Sequence, residues 1–323
     1  MLFASVAGLG YGLWSRAGIR EYVIGAGVAA FVFLFLVEGN TALLTAVMVG
    51  VAIVGYRVGR AARDSRIDTA ARRIAIGSGV AIAPYTVIEG PVTIGENCRI
   101  GPHCHITGHT TIGPGTSIHA GAVVGGEPQD YDYGGERSYT VIGADCHLRE
   151  YVTIHRGATP ESTTSLGNSV MVMAFVHVAH NCCVADNVVL VNGVSLAGHV
   201  EIGSRAFISA CTRVHQFVRI GELAMLGSDM HIRQDVAPYC MAIDDGIVGP
   251  NVVGLRRAGI DSDARRVLKN AIHTFTGERP QAEALAAIEA ASPGLPVIEI
   301  FVAFVRSSKR GILRSAGTGR RRS

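Results

Sequence analysis

Charge is scarce in this chain. Asp, Glu, Lys and Arg make up 17% of its 323 residues and hydrophobic residues 48%, a balance that excludes disorder as the main state. Aromatic residues are thin as well, at 6% with one tryptophan. No CxxC or CxxH pair occurs among the seven cysteines. An odd number without that spacing excludes a disulfide framework or a zinc ribbon and points to a reducing cytoplasm. Nor does any uncharged apolar run reach the 18 or so residues of an ordinary membrane span. What is abundant is glycine, 40 of 323, about 12% against a usual ~7%. There is no G-X-Y period, so collagen is excluded, and glycine disfavours a mostly helical fold. A repeated β architecture with many tight corners is predicted.

The net charge of +3 hides an asymmetry. Residues 1–66 hold six Lys/Arg against three Asp/Glu, residues 67–255 ten against seventeen, and residues 256–323 thirteen against six. Basic ends thus flank an acidic middle. That pattern suits acidic partners at the ends and no nucleic acid on the body.

Two uncharged stretches, Tyr22–Val37 and Thr41–Tyr56, flank Glu38-Gly39-Asn40. As helices of sixteen residues each they reach about 24 Å, and flanking Arg20 and Arg57 extend them by snorkelling. Arg16 and Arg20 precede the pair, Arg57, Arg60, Arg63 and Arg66 follow it, and the joining loop has none. The positive-inside rule then places both ends in the cytoplasm. A membrane-contacting hairpin through residues 22–56 is expected. The alternatives are a buried helical hairpin and an extension read from a misassigned start. Met1–Trp14 is apolar but lacks the basic start of a signal peptide.

The strongest pattern is a period of six. From Ile76 it runs through Ile82, Ile88, Ile94, Ile100, Ile106, Ile112, Ile118 and Val124, returns at Ile142, Leu148 and Ile154, and resumes from Leu166 through Val172, Val178, Val184 and Leu190 to Ile232. Of 27 positions in this phase, 24 are Ile, Leu or Val. Glycine often follows, as at Gly77, Gly95, Gly101, Gly113, Gly167, Gly203 and Gly221, and is read as marking the corners. Six fits neither a helix nor simple alternation. It fits a short strand plus a corner, three of which make an 18-residue triangular coil. The predicted fold is mainly β: a left-handed parallel β-helix over residues 67–250, with the hydrophobic hairpin at 1–66 and a helical domain at 251–323. Helices are predicted at Ser262–His273, Pro280–Ala291 and Val297–Ser307, and a basic tail at Arg320–Arg322. Cys98, Cys104, Cys146 and Cys182 each stand four residues after a repeat position, where a small inward side chain is wanted, so they are read as buried structural thiols. Residues 125–140 and 155–165 break the repeat without shifting its phase and are read as loops expelled from the prism.

Six stretches follow one another in a set order: Gly126-Glu-Pro-Gln-Asp-Tyr-Asp-Tyr-Gly-Gly-Glu136, Thr153-Ile-His-Arg-Gly157, His177-Val-Ala-His-Asn181, Leu196-Ala-Gly-His-Val200, Val214-His-Gln-Phe217 and Asn251-Val-Val-Gly-Leu-Arg-Arg257. This order resembles the family of acyl-carrier-protein–UDP-N-acetylglucosamine O-acyltransferases of lipid A synthesis, over roughly residues 70–315. The resemblance implies transfer of a 3-hydroxyacyl group from acyl carrier protein to the 3-hydroxyl of the sugar nucleotide. It implies a homotrimer, no cofactor and no metal.

Moving an acyl group from a thioester to a hydroxyl needs a base and a donor for the developing oxyanion. His180 is the candidate base, and Gly198, one coil later, brings a backbone N–H beside it. The resemblance assigns the same two roles. It also implies that Asp130 meets the 3-hydroxyl of the acyl chain and is handed by its loop to a neighbouring subunit, that His177 and His199 touch substrate, and that His215, Gln216, Asn251 and Arg257 contact the nucleotide sugar and its pyrophosphate. Met225 and Ser228 align with the acyl-chain ruler, and Ser228 in place of a glycine implies a shorter chain. The basic carboxy-terminal residues Arg265, Arg266, Lys269, Arg306, Lys309 and Arg310 suit an acidic carrier protein.

Three positions depart from the family. Asn181 replaces an aspartate, as in the related N-acyltransferase, Asp132 a lysine, and Val253 an acidic residue. An N-acyltransferase on an amino sugar nucleotide is accordingly one alternative. Two others lie outside sugar acylation: a zinc carbonic anhydrase of the same fold, for which no ligand motif is present, and a membrane-anchored scaffold with a decayed site.

Overall fold

The computed structural model describes residues 74–244 and 246–314. The expected hairpin at 22–56 and the tail at 320–322 lie outside the described residues. Among the described residues, no helix is long and apolar enough to cross a membrane.

Each hexad forms a strand of two to four residues followed by a corner, and successive hexads enter three different sheets in rotation. Strands 18 residues apart therefore pair in parallel, as His177–Val178 does with Ser195–Leu196 and that strand with Arg213–Val214. The sheets have eight, ten and eight strands. Where the repeat is interrupted, the register is kept: Ile112 pairs with Ile142 and Ile142 with Leu166. Both excursions are thus extruded from the prism without disturbing the ladder.

The repeat residues point inward and stack coil on coil. Ile106, Val124, Ile154, Val178 and Leu196 are fully buried along the third sheet, each contributing about 1.5–3 kcal/mol of burial free energy. The first coil is the exception. Ile76 and Ile82 are 50% and 41% exposed, against 1% for Ile94 one coil later, because no described coil stacks beneath them. The thiols of Cys98, Cys104, Cys146 and Cys182 are buried and free, and burial pushes Cys182 up to about 12, so they act as small core side chains.

The glycines have a different role from the one expected. The left-handed position at each corner is held mostly by other residues, among them Asn97, Asp145, Tyr151, Phe175 and Asn187 with φ of 53–61°. The glycines that follow the aliphatic residue serve coil stacking instead. A Cβ on Gly77 would come within 2.7 Å of the Glu96 backbone nitrogen, and one on Gly101 within 2.8 Å of Ala120 nitrogen. Coils at β-sheet spacing leave no room for a side chain there.

After Ile232 the coil gives way to an antiparallel hairpin, Cys240–Ile243 with Gly246–Pro250, which caps the second sheet. Four helices follow: α1 (Val252–Arg257), α2 (Ser262–Thr276), α3 (Gln281–Ala291) and α4 (Pro296–Arg306). The hairpin and α1 were not expected, since neither continues the six-residue period. Helix α2 starts at Asp261, whose carboxylate accepts from the Asp263 and Ala264 N–H groups. Its buried Leu268, Ile272 and Phe275 share one face, and Phe275 meets Phe301 of α4 edge-on at 5.4 Å.

Candidate active site

The corner between the third and first sheets brings the chemistry together. Three successive turns there read Ala179-His180-Asn181, Ala197-Gly198-His199 and His215-Gln216-Phe217. Because the preceding strands pair in register, His180, Gly198 and Gln216 form one column along the prism, and Asn181, His199 and Phe217 a second. The second column is left-handed throughout, with φ of 60°, 61° and 63°. His199 stacks on Phe217 with ring centroids 4.6 Å apart, and His180 meets His199 edge-on at 5.3 Å.

Gly198 has no side chain because the His180 ring occupies that space. A Cβ there would lie 2.6 Å from both Cε1 and Nε2 of the imidazole. Among the described residues, no protein group accepts a hydrogen bond from the Gly198 N–H, nor from the N–H of His180 or Gln216. A free N–H is therefore general to this corner. At Gly198 the His180 imidazole packs on the same residue.

His180 is 15% exposed and held from both ends. Its Nδ1 lies 2.9 Å from Asn181 Oδ1, and its Nε2 lies 3.5 Å from Asp130 Oδ2. Asp130 comes from the first excursion, which folds back onto its own prism. His155 Nδ1 bonds the Glu127 carbonyl. Arg156 donates to Gly125 O at 3.0 Å, Glu127 Oε1 at 3.1 Å and Tyr133 Oη at 3.0 Å. The Asp132 N–H donates to Asp130 Oδ1 at 3.1 Å, so position 132 steers Asp130 through its backbone. Within one chain these bonds set Asp130 beside His180.

His177 lies one strand position away from the corner. Its Nδ1 is 2.8 Å from Thr153 Oγ1 and its ring meets His155 edge-on at 5.1 Å. Burial, aided by neighbouring His155, lowers its pKa to about 4, so it is uncharged at neutral pH. Burial and the neighbouring His180 also lower His199, with Asp130 opposing. Burial likewise lowers His155, beside His177. His155 and Arg156 were missed as site residues, although they stand in the quoted stretch 153–157. Their role depends on the loop they tether, which no spacing reveals.

Of the remaining expected residues, His215 and Gln216 share this corner and the others lie elsewhere in the chain. His215 Nδ1 faces Arg310 Nη2 at 3.3 Å, while Gln216 ends the first column. Met225 belongs to the second sheet, paired with Phe207 and Met241, and Ser228 is exposed at the next corner. Asn251 has a structural part within this chain. It is the N-cap of α1, its Oδ1 accepting from Gly254 N–H at 2.9 Å and its Nδ2 donating to Leu223 O at 2.9 Å. Both ends of the buried amide are thereby occupied. Arg257 is exposed in the last turn of α1. Of the basic residues expected to meet a carrier protein, Arg266 pairs with Asp263 at 3.0 Å and Arg306 with Glu289 at 2.7 Å.

A triangular coil of hexads bearing a histidine against a free backbone N–H defines a hexapeptide-repeat acyltransferase. Residues 73–108 and 91–126 match the bacterial transferase hexapeptide family (six repeats), and residues 235–313 match the second domain of UDP-N-acetylglucosamine O-acyltransferase. The acyl-[acyl-carrier-protein]–UDP-N-acetylglucosamine O-acyltransferase of Synechocystis sp. is 40% identical over 225 residues, 69% of this chain and 75% of that one. The UDP-N-acetylglucosamine acyltransferase of Francisella novicida superposes with a TM-score of 0.73 at 35% identity, covering 76% of this chain and 91% of its own. That of Bacteroides fragilis superposes with a TM-score of 0.73 at 36% identity, covering 75% and 96%. The chain belongs to the family of the acyl-[acyl-carrier-protein]–UDP-N-acetylglucosamine O-acyltransferases.

Proposed function

We propose that this chain transfers a 3-hydroxyacyl group from acyl carrier protein to the 3-hydroxyl of UDP-N-acetylglucosamine, the first step of lipid A biosynthesis. The observation that carries this reading is the His180 imidazole packed on the Gly198 backbone, with Asp130 at its Nε2. His180 Nε2 takes the proton of the sugar hydroxyl as its oxygen attacks the thioester carbonyl. The Gly198 N–H faces the oxyanion that forms. Collapse of the tetrahedral species expels the carrier-protein thiolate, which takes up the proton from His180, so no acyl-enzyme is needed. Asp130 supports the transient imidazolium through its charge and orients the donor's hydroxyl.

Asn181 favours a second reading, N-acyl transfer to an amino sugar nucleotide, because an amide supports imidazolium less than a carboxylate does. Turnover assays with hydroxyacyl carrier protein and each sugar nucleotide in turn separate the two. The proposal expects thiol release to depend on UDP-N-acetylglucosamine; dependence on the amino sugar alone contradicts it.

Assembly belongs to the same reading. One chain carries Asp130, His180 and Gly198 at the corner of the third and first sheets, but Met225 and Ser228 at the second sheet and Asn251 and Arg257 on α1 beyond its hairpin. A homotrimer that sets one face of a prism against another face of its neighbour unites the two groups. Sedimentation at the mass of three chains is the expected result, and a monomer contradicts it. Ser228 narrows the end of the acyl groove. Ser228→Gly is therefore expected to shift the preferred donor to a longer chain, and an unchanged chain-length profile overturns that role. The proposal keeps the prism in the cytoplasm with residues 22–56 as its membrane contact, which requires the full chain to sediment with membranes after carbonate washing.

A further inference from the structure

An asparagine side chain is ambiguous in a way that an aspartate is not. Its oxygen and its nitrogen have nearly the same shape, and only one of them accepts a hydrogen bond. Which end faces His180 therefore fixes what the imidazole can do. The backbone of the second excursion resolves this at Asn181. The Ala158 N–H lies 3.0 Å from Asn181 Oδ1, and a backbone N–H can only donate. An amide turned the other way would set two donors against each other. The same Oδ1 lies 2.9 Å from His180 Nδ1. One oxygen thus faces two nitrogens, and each must present a hydrogen. The neutral imidazole then carries its proton on Nδ1, leaving Nε2 with a free lone pair beside Gly198 and Asp130.

The donor is itself held in place. Gly157 N–H donates to Tyr139 O at 3.2 Å and Glu161 N–H to Arg137 O at 2.7 Å. Ser162 Oγ accepts from Thr159 N–H at 3.0 Å and donates to Thr159 O at 2.7 Å. The Asn181 backbone is fixed from below, its N–H donating to the buried Thr164 hydroxyl at 2.7 Å.

We propose that Ala158 is a positioning residue: its backbone N–H, acting through Asn181, holds His180 as the Nδ1–H tautomer with Nε2 free to take a proton. The excursion at 155–165 is then the device that lets an asparagine serve where a carboxylate needs no such help. This inference rests on the reading of His180 as the base, but it predicts a property of the ring that is measurable without turnover.

The test combines nitrogen spectra with a two-by-two set of variants. In ¹⁵N-histidine-labelled full-length protein, the His180 signals are identified by their loss in His180→Gln. The wild type is expected to show the Nδ1–H tautomer, and the Nε2–H tautomer overturns the proposal. Ala158→Pro removes the N–H and is expected to admit the second tautomer and lower kcat about tenfold with KM little changed. Asn181→Asp presents an oxygen whichever way it turns. In that background Ala158→Pro is expected to cost less than about twofold. An equal loss in both backgrounds shows a merely structural role and overturns the proposal. If Ala158→Pro does not fold, by thermal melting, the wild-type spectrum still decides. A wild type that shows the Nδ1–H tautomer without turnover contradicts the catalytic reading of His180 and leaves the positioning role standing.

Discussion

His180→Ala is expected to lower kcat by about 10²–10⁴-fold, the usual worth of a positioned general base. The sugar hydroxyl is a poor nucleophile until its proton is taken, and Nε2 is the imidazole atom turned toward Asp130 and Gly198. The proposed substrate contacts are spread over other side chains, so KM is expected to change far less than kcat. The side chain sits at a corner outside the stacked core, and its loss is expected to leave the melting temperature within a few degrees of wild type. A variant that folds and turns over at the wild-type rate would mean that the corner is not catalytic. The non-enzymatic scaffold reading would then gain ground.

Gly198→Ala is expected to be nearly as damaging, for a steric reason. The added methyl would sit 2.6 Å from two atoms of the His180 ring, closer than any real contact, so the imidazole must move. Its new position would separate the proposed base from the N–H proposed to face the oxyanion. Losing one such donor alone costs about 10²–10³ in kcat, and displacement of the base adds to that. Gly277→Ala is the control, since a Cβ there meets its neighbours only at 3.5–3.6 Å. It is expected to retain wild-type kcat. Full activity in Gly198→Ala would show that the ring and this N–H do not act together.

The prism was legible because its determinants are local and repeated. One phase runs from Ile76 to Ile232 and survives two excursions. The in-register pairing of Ile112, Ile142 and Leu166 is its structural counterpart. The same phase places Gly198 one coil after His180. Less visible was why particular residues occupy particular places. The glycines after the aliphatic positions looked like corner residues, yet they answer to the next coil's backbone, a contact 17 or more residues away in sequence. That the Asn251 amide closes the start of α1 was likewise not visible in the sequence. The hydrogen bonds that tie the first excursion to the prism at His155, and that set Ala158 against Asn181, arise where the extruded loops meet the prism. Such contacts have no period, and only the folded chain brings their partners together.

The most direct measurement is the linkage of the product. Purified full-length protein is incubated with 3-hydroxyacyl carrier protein and UDP-N-acetylglucosamine, and the acylated nucleotide sugar is isolated and exposed to mild alkali. The expected product carries one hydroxyacyl group as an ester, gained by mass and lost on alkaline treatment. No product from this sugar, with an alkali-stable amide formed only on its 3-amino analogue, would contradict O-acyl transfer.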